Sequence, residues 1–189
     1  DIEVATEDVD EFVNCVKLIG NNYGGINLED IKAPECFLIE ERLKEELEVP
    51  VFHDDQHGTA IITAAGFINA LHLTDRDYGD VKLVVNGAGA SAIACVELIK
   101  SMGVQNENVI MCDSRGVIYR GRKDGMNQWK SAHAVETDAR DLTQALVGAD
   151  VFIGLSTKDI VSQDMVKSMA DKPIIFAMAN PVPRLRRRT

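Results

Sequence analysis

An apolar run that ends on a glycine-rich loop constrains the fold of this chain more than any other feature. Residues 81–86 are Val-Lys-Leu-Val-Val-Asn, and Gly-Ala-Gly-Ala-Ser-Ala follows directly and opens a helical pattern. This is the G-x-G-x-x-A form of the dinucleotide-binding fingerprint, in its required place between a strand and a helix. Glycines there permit a tight turn and a close approach of the backbone to a pyrophosphate. The sequence therefore predicts a dinucleotide site at Gly87, Ala88, Gly89, Ala90 and Ser91.

Strand and helix patterns alternate from residue 81 onward. Strands are predicted at residues 81–85, 108–112, 151–153 and 174–177, and helices at residues 90–101, 142–147 and 162–169. Such alternation is typical of a parallel sheet with helices on both faces. The sequence thus predicts an α/β fold, a Rossmann-like doubly wound parallel sheet preceded by an N-terminal segment of helices and short strands.

The N-terminal segment contains three helical patterns. Residues 8–19 have apolar positions at helical spacing behind a possible Asp8 cap, and Pro34 suits the start of a second helix. Residues 59–73 are apolar on nearly every face, which predicts burial on both sides. Because residues 74–80 are polar, we expect a domain boundary there. It divides a metal- and substrate-side segment at 1–74 from a cofactor domain at 75–183.

Charge and cysteine usage exclude several classes of protein. A net charge of −10 over 189 residues argues against nucleic-acid binding, which needs a basic face. The four cysteines form no Cys-x-x-Cys pair, which favours buried thiols in a reducing compartment. No secretory or membrane-spanning run is present, so a cytoplasmic protein is expected. The arginine-rich residues 184–189 are interpreted as the end of a fragment or expression product rather than as an interaction tail.

Two further apolar runs end on pairs of carboxylates. Glu29 and Asp30 follow one run, and Asp54 and Asp55 follow the other. Since ligands bind beyond the carboxyl ends of strands, these turns are expected on one rim with the glycine loop. Oxygen donors without cysteine partners suit Mg²⁺ or Mn²⁺, provided that the chain bends at each pair. The alternative is that the pairs are solvated turns or helix caps, with Asp55 capping the next helix.

Polar residues at three other strand ends are candidate cofactor contacts. Asp113 lies 24 residues beyond Gly89, where it can accept hydrogen bonds from a ribose 2′-hydroxyl. An acidic residue at that position favours NAD, because it would repel the 2′-phosphate of NADP. The basic residues nearby favour NADP, so the cofactor preference stays open. Ser156 and Asn180 also end apolar runs, although Asn180 precedes a proline and can instead be part of a simple turn.

Two histidines flank the second acidic pair. His53 and His57 are either ligands or acid–base groups, or structural residues that orient the turn, and the structural role is favoured.

Five segments of the sequence resemble the bacterial-type malic enzymes. They are residues 24–37, 51–60, 86–90, 112–119 and 179–181, and they occur in matching order along nearly the whole chain. The resemblance implies oxidation and decarboxylation of L-malate to pyruvate with NAD or NADP and Mg²⁺ or Mn²⁺. By motif it implies metal ligation by Glu29, Asp30 and Asp55, with Asp54 beside them, and a contact from Asn180 to the nicotinamide end or the substrate.

The resemblance also implies what this segment does not supply. The general-base lysine and general-acid tyrosine of such enzymes are expected upstream of Asp1, and neither Lys32 nor Tyr23 fits the catalytic pattern. We therefore expect an inactive central fragment of a malic enzyme that forms homodimers or larger homo-oligomers. The alternatives are a non-catalytic nucleotide-binding or regulatory module, and another NAD(P)-dependent hydroxy- or amino-acid dehydrogenase.

Overall fold

The protein folds as an α/β structure with two separate sheets. The structure is a computed structural model and describes residues 1–179 of the chain. The strands are β1 (Ile26–Leu28), β2 (Val51–His53), β3 (Leu83–Asn86), β4 (Val109–Asp113), β5 (Gly116–Val117), β6 (Val151–Gly154) and β7 (Ile174–Ala177). The helices are α1 (Val9–Gly20), α2 (Glu35–Glu46), α3 (Thr59–Thr74), α4 (Ala90–Ser101), α5 (Gln128–Ala132), α6 (Leu142–Leu146) and α7 (Gln163–Ser168). A π-helical turn (Asp54–Gly58) precedes α3, and a 3₁₀ turn (Asn106–Asn108) precedes β4.

The larger sheet confirms the predicted Rossmann-like fold. Its strand order is β5-β4-β3-β6-β7, and all pairs are parallel except β4 with β5. The chain leaves β3 for β4 on one side and then returns to β6 on the other side. The order of strands therefore reverses at β3, and the crevice at this switch point is where such sheets bind ligands.

The two acidic strand ends lie on a different sheet from the glycine loop, so the prediction of one shared rim is wrong. β1 and β2 form their own two-stranded parallel sheet. A strand of three residues carries no signal for which other strand it will pair with. The two sheets are instead connected through the π-turn and α3, which both pack against α4.

Alternate residues of β3 enter two different cores, which explains its continuous apolar sequence. Leu83 and Val85 pack with Phe67 and Ile93 on the face covered by α3 and α4. Val84 points to the opposite face, where it packs with residues of α6 and α7. Both faces of the sheet are therefore covered, as a doubly wound fold requires.

Helix α3 is buried on one side only, which corrects the expectation of burial on both sides. Phe67 and Leu71 are buried toward the sheet, and Thr63 packs on α4 with its hydroxyl near the Cys95 thiol. On the other side Ile62 is 65% exposed and Leu73 is 83% exposed. Apolar composition alone predicts burial but not the number of neighbouring elements. Within residues 1–179 the neighbours of α3 lie on a single side.

The first helices form a small core of their own around the two-stranded sheet. Val13 of α1 and Leu43 of α2 are fully buried against Leu28 and Val51. The carboxylate of Asp8 caps α1 by accepting a hydrogen bond from the backbone N–H of Glu11 at 2.9 Å, as predicted. This core fixes the platform from which both acidic turns emerge.

All four cysteines are free, and Cys36, Cys95 and Cys112 are buried. In the part of the chain that the structure describes, no helix has the combined length and apolarity that crossing a bilayer demands.

Adjacent residues of α3 offer a test of its one-sided burial. Phe67→Ala should lower the free energy of unfolding by about 3–5 kcal/mol, because it leaves a cavity in the main core. The neighbouring Ile68 is 47% exposed, and Ile68→Ala should cost less than about 1 kcal/mol. Urea unfolding of the chain followed by circular dichroism gives both values. Equal losses in the two variants would contradict the assigned orientation of α3.

Candidate functional site

The acidic turns are brought together by the register of the two-stranded sheet. Leu28 pairs with His53, so Glu29 and Asp30 leave β1 beside the point where Asp54 leaves β2. The predicted bend is present, since Asp30 has a φ of 58°, a left-handed conformation that aspartate tolerates better than most residues. Its backbone N–H donates a hydrogen bond of 2.8 Å to Oδ2 of Asp55. The backbone at one predicted metal ligand thus contacts the carboxylate of another.

The structure does not display a complete metal cluster. Among residues 1–179, no three side chains of histidine, cysteine, aspartate or glutamate are grouped so as to hold a metal ion. Ligation of one cation by Glu29, Asp30 and Asp55 therefore stays a prediction. The oxygen donors at this edge fit a hard divalent cation, and side-chain rotation at the exposed Glu29 and Asp30 would be needed to complete the set.

Asp55 does not cap α3, because a π-helical turn separates it from that helix. The residue preceding α3 is Gly58, and no side chain caps the helix there. A Cβ atom on Gly58 would collide with the carboxylate of Asp54, so glycine leaves room for that carboxylate. π-Helical turns occur frequently at functional sites, where they redirect side chains. Here the turn carries both aspartates of the second acidic pair.

The two histidines of this region differ in environment. His53 is fully buried, and neither ring nitrogen has a hydrogen-bond partner among the residues described. Burial lowers the pKa of His53, against the opposing charges of Asp55 and Glu40. His57 is partly exposed, and its Nε2 lies 2.6 Å from Oε1 of Glu40. His57 thus orients the turn through a contact on α2, consistent with the favoured structural role.

The glycine loop has the geometry that phosphate binding requires. Gly87 has a φ of 138°, which side chains rarely permit, and its N–H donates to the carbonyl of Cys112. No side chain caps the start of α4, and a Cβ placed on Gly89 would have no neighbour within 4 Å. The first N–H groups of α4 therefore face open space, where an anion can approach them. The buried Ala92 allows the close packing expected of the third position.

Ser156 lies at the switch point of the sheet, at the end of β6. The amide Nδ2 of Asn86 donates a hydrogen bond of 2.7 Å to its hydroxyl, which joins the ends of β3 and β6. The serine is exposed and lies beside the crevice in which a dinucleotide is expected. Its contact with a cofactor stays a prediction. Asn180 and the arginine-rich residues 184–189 lie outside the described residues.

The carboxylate of Asp113 already has several partners. Nη2 of Arg122 lies 2.8 Å from both carboxylate oxygens, and Nζ of Lys130 lies 2.7 Å from Oδ2. The backbone N–H of Arg115 donates to Oδ1 at 2.9 Å. Burial raises the pKa of Asp113, but the hydrogen bonds from Lys130 and the two arginines outweigh it and hold the pKa below its ordinary value.

The two cations beside Asp113 change what this carboxylate implies for the choice between NAD and NADP. Asp113 sits at the end of β4, as predicted, but its single negative charge is matched by two cations. An incoming 2′-phosphate would meet a locally positive group instead of a lone carboxylate. An acidic residue at this position therefore gives no simple preference for NAD. Binding of the ribose by Asp113 itself stays a prediction.

The second acidic turn and the glycine loop both adjoin α4. Ala60, in the first turn of α3, packs against Ala94 and Cys95 of α4 in a small cluster that also contacts Leu155. The glycine loop opens the same helix one turn earlier. Small side chains at this contact let α3 and its π-turn approach α4 closely. The two predicted halves of the site are therefore neighbours although they belong to different sheets.

Sequence reasoning missed two side chains that shape the site, Glu40 and Lys130. Glu40 is 6% exposed and contacts the π-turn. A signal was available, because Glu40 lies four residues after Cys36 and three before Leu43, in phase with the buried stripe of α2. Lys130 lies 17 residues from Asp113 on a separate short helix, and no local pattern predicts that pairing.

Family models cover most of the chain. The model described as "Malic enzyme, NAD binding domain" matches residues 56–186, and the model described as "Malic enzyme, N-terminal domain" matches residues 2–44. The chain belongs to the malic enzyme family. The acidic turn at Glu29 falls in the N-terminal match, and the glycine loop falls in the NAD-binding match.

Individual relatives agree with this assignment. The chain is 69% identical to an NADP-dependent malic enzyme and 48% identical to an NAD-dependent malic enzyme, both of Rhizobium meliloti, over 98% of its length. It covers 24% of each of those proteins, so it spans about a quarter of their length. The crystal structure of the NAD-dependent malic enzyme from Thermotoga maritima superimposes with a TM-score of 0.90 at 42% identity, over 96% of this chain and 49% of that one.

Replacing Asp113 should destabilise the fold in a pH-dependent way. Asp113→Asn leaves Arg122 and Lys130 without their carboxylate, which should cost about 3 kcal/mol of unfolding free energy at pH 7. Because the folded pKa is lowered, this contribution is present above the unfolded pKa of about 3.9 and is lost as the pH falls toward the folded value. Urea unfolding monitored by the single tryptophan, Trp129, measures it.

The exposed pair Arg120–Glu136 supplies the control for that experiment. Both side chains are more than two-thirds exposed, so Glu136→Gln should change stability by less than about 1 kcal/mol at any pH. A difference between Asp113→Asn and the parent that did not shrink in acid would contradict the ion-pair account.

The glycine loop can be tested by adding one methyl group. Gly87→Ala should weaken binding of NADPH and NADH to the full-length protein by about tenfold, because alanine does not tolerate a φ of 138° and the loop must move away from the conformation that presents its N–H groups. Gly79→Ala is the control, because a Cβ there meets no atom within 4 Å and should leave affinity unchanged. Fluorescence titration of the reduced cofactors measures both. Unchanged affinity in Gly87→Ala would show that the loop does not bind the cofactor.

Proposed function

We propose that this chain is the part of a malic enzyme that binds the dinucleotide and carries the metal-ligating turns, in an enzyme that oxidatively decarboxylates L-malate to pyruvate. The observation that carries the proposal is the match of residues 56–186 to the NAD-binding domain of that family. The local structure supports it, since the glycine loop and the acidic turns adjoin the same helix, α4. Residues 1–74 would supply the metal and substrate side, and residues 75–183 the cofactor domain.

The dinucleotide would bind across the ends of β3 and β6. In this proposal the backbone of residues 87–91 holds the pyrophosphate at the start of α4, and Ser156 lies on the opposite side of the crevice. Both NAD and NADP suit the basic surroundings of Asp113. The relatives include proteins named as dependent on each cofactor.

Glu29, Asp30 and Asp55 would hold a divalent cation, Mg²⁺ or Mn²⁺. The support is the hydrogen bond that joins the Asp30 turn to the Asp55 carboxylate, together with the suitability of carboxylate oxygen for hard cations. Asp54 would lie on the substrate side, where Gly58 leaves it room.

The proposed chemistry draws on both bound groups. The dinucleotide held by residues 87–91 would supply the hydride acceptor for the oxidation of malate, and the cation held by Glu29, Asp30 and Asp55 would supply a Lewis acid for the decarboxylation. The contribution of this chain is to orient the reactants, because its packing fixes the acidic edge relative to the glycine loop. We assign no general acid or base to the chain, because neither Lys32 nor Tyr23 fits the catalytic pattern of such enzymes.

We also propose a cytoplasmic, homo-oligomeric enzyme whose substrates are small molecules. Four free cysteines support a reducing compartment. At least a dimer is expected from the family resemblance alone.

The metal assignment leads to a direct test. Asp55→Asn should lower the Mn²⁺-dependent malate oxidation of the full-length protein by about 100-fold or more, because a Lewis acid contributes several kcal/mol. Binding of NADPH should stay within about twofold of the parent, since the glycine loop is intact. Asp80→Asn, at an exposed position before β3, is the control. Full activity in Asp55→Asn would refute the ligand assignment.

A further inference from the structure

A buried carboxylate on α2 contacts the turn that carries Asp55. Glu40 is 6% exposed, although it is neither a proposed ligand nor part of the glycine loop. Glutamate is rarely buried unless its charge is compensated. The partners of this side chain therefore indicate why it is there.

Both oxygens of Glu40 bind the residues that directly follow Asp55. Oε1 lies 2.6 Å from Nε2 of His57, and Oε2 accepts a hydrogen bond of 3.3 Å from Nε2 of Gln56. Gln56 is itself only 4% exposed. One carboxylate thus contacts two consecutive side chains of the π-turn.

A further contact, to Lys44, does not explain the burial. Nζ of Lys44 lies 2.8 Å from Oε1, but the lysine side chain is 46% exposed and stands one turn away on the same helix. This pair lies within α2, so it does not connect the helix to the π-turn. The contacts that join α2 to another element are those with Gln56 and His57.

The π-turn is held at Asp55 and at the two residues that follow it. Asp55 accepts the hydrogen bond from the backbone of Asp30, while Gln56 and His57 are held by Glu40. No side chain caps the start of the turn at His53. Because π-helical turns are rare and need support from their surroundings, removing one anchor should let the turn relax.

We propose that Glu40 is a positioning residue, which fixes the π-turn through Gln56 and His57 so that Asp55 can share a divalent cation with Glu29 and Asp30. This inference rests on the proposed function, because it takes Asp55 to be a ligand. It adds a residue from the region matched by the N-terminal family model, which supports a turn within which the NAD-binding match begins, at residue 56.

The test compares direct Mn²⁺ binding in variants of the full-length protein. Glu40→Gln keeps the shape of the side chain but removes its charge and presents an amide N–H₂ group to the π-turn. Outer contacts of metal ligands typically contribute 10- to 100-fold in affinity, so the dissociation constant for Mn²⁺ should rise by about 10-fold or more. Electron paramagnetic resonance of free Mn²⁺ measures it without any turnover.

Two reference variants separate the possible outcomes. Glu41→Gln removes a charge from the exposed neighbour of Glu40 on the same helix and should leave Mn²⁺ affinity within about twofold. Asp55→Asn should abolish binding if the proposed ligand set is right. Affinity for NADPH, measured by fluorescence, should stay within about twofold in Glu40→Gln, since the hydrogen-bond and ion-pair partners of Glu40 described here, Gln56, His57 and Lys44, lie on the π-turn and α2.

The Mn²⁺ and NADPH affinities of these variants together show whether Glu40 positions the π-turn. Weaker Mn²⁺ binding with unchanged NADPH binding supports it. Parental Mn²⁺ affinity in Glu40→Gln, together with loss in Asp55→Asn, overturns the role of Glu40 and leaves the proposed function standing. Equal losses of Mn²⁺ and NADPH affinity indicate a general structural role and also overturn it. An Mn²⁺ affinity of Asp55→Asn equal to that of the parent would refute both the proposed metal site and the role of Glu40.

Discussion

The contact between α3 and α4 determines whether this protein has one site or two separate features. Ala60 packs on Ala94 and Cys95, and such small side chains allow the backbones to approach closely. The glycine loop opens α4, and the π-turn leads into α3. A bulky residue at this contact would push the acidic edge away from the crevice of the sheet. The position of the proposed metal ligands relative to the glycine loop therefore depends on packing between apolar atoms.

Buried charge is compensated in two places around that contact. Asp113 is bound by Arg122 and Lys130 at the end of β4, and Glu40 is bound by residues of the π-turn. In each case a carboxylate from one element ties down a separate element by hydrogen bonds that strengthen in a low dielectric. Both clusters adjoin a proposed ligand position. Rigidity at the site thus comes from polar contacts between elements, placed on the platform that the cores provide.

Local patterns predicted the regular elements of the larger sheet well. The predicted range of α4 and that of β7 are the observed ones, because each is a continuous apolar pattern with clear end signals. The pairing of β1 with β2 alone and the antiparallel β5 were not predicted, since strands of two or three residues carry almost no periodicity. The π-turn was not predicted either. It is defined by hydrogen bonds and by contacts with α2 that have no sequence signature.

By itself, the sequence determined the doubly wound fold, the glycine loop between β3 and α4, and the chemical types of the candidate ligands. These follow from hydrophobic period, glycine spacing and side-chain chemistry, which are local properties. Only the tertiary structure decided which partners these carboxylates have. It joined Asp30 to Asp55, gave Asp113 to Arg122 and Lys130, and buried Glu40 against the π-turn. Such pairings link residues far apart in the chain, so they exist only once strand register and helix packing have set the distances.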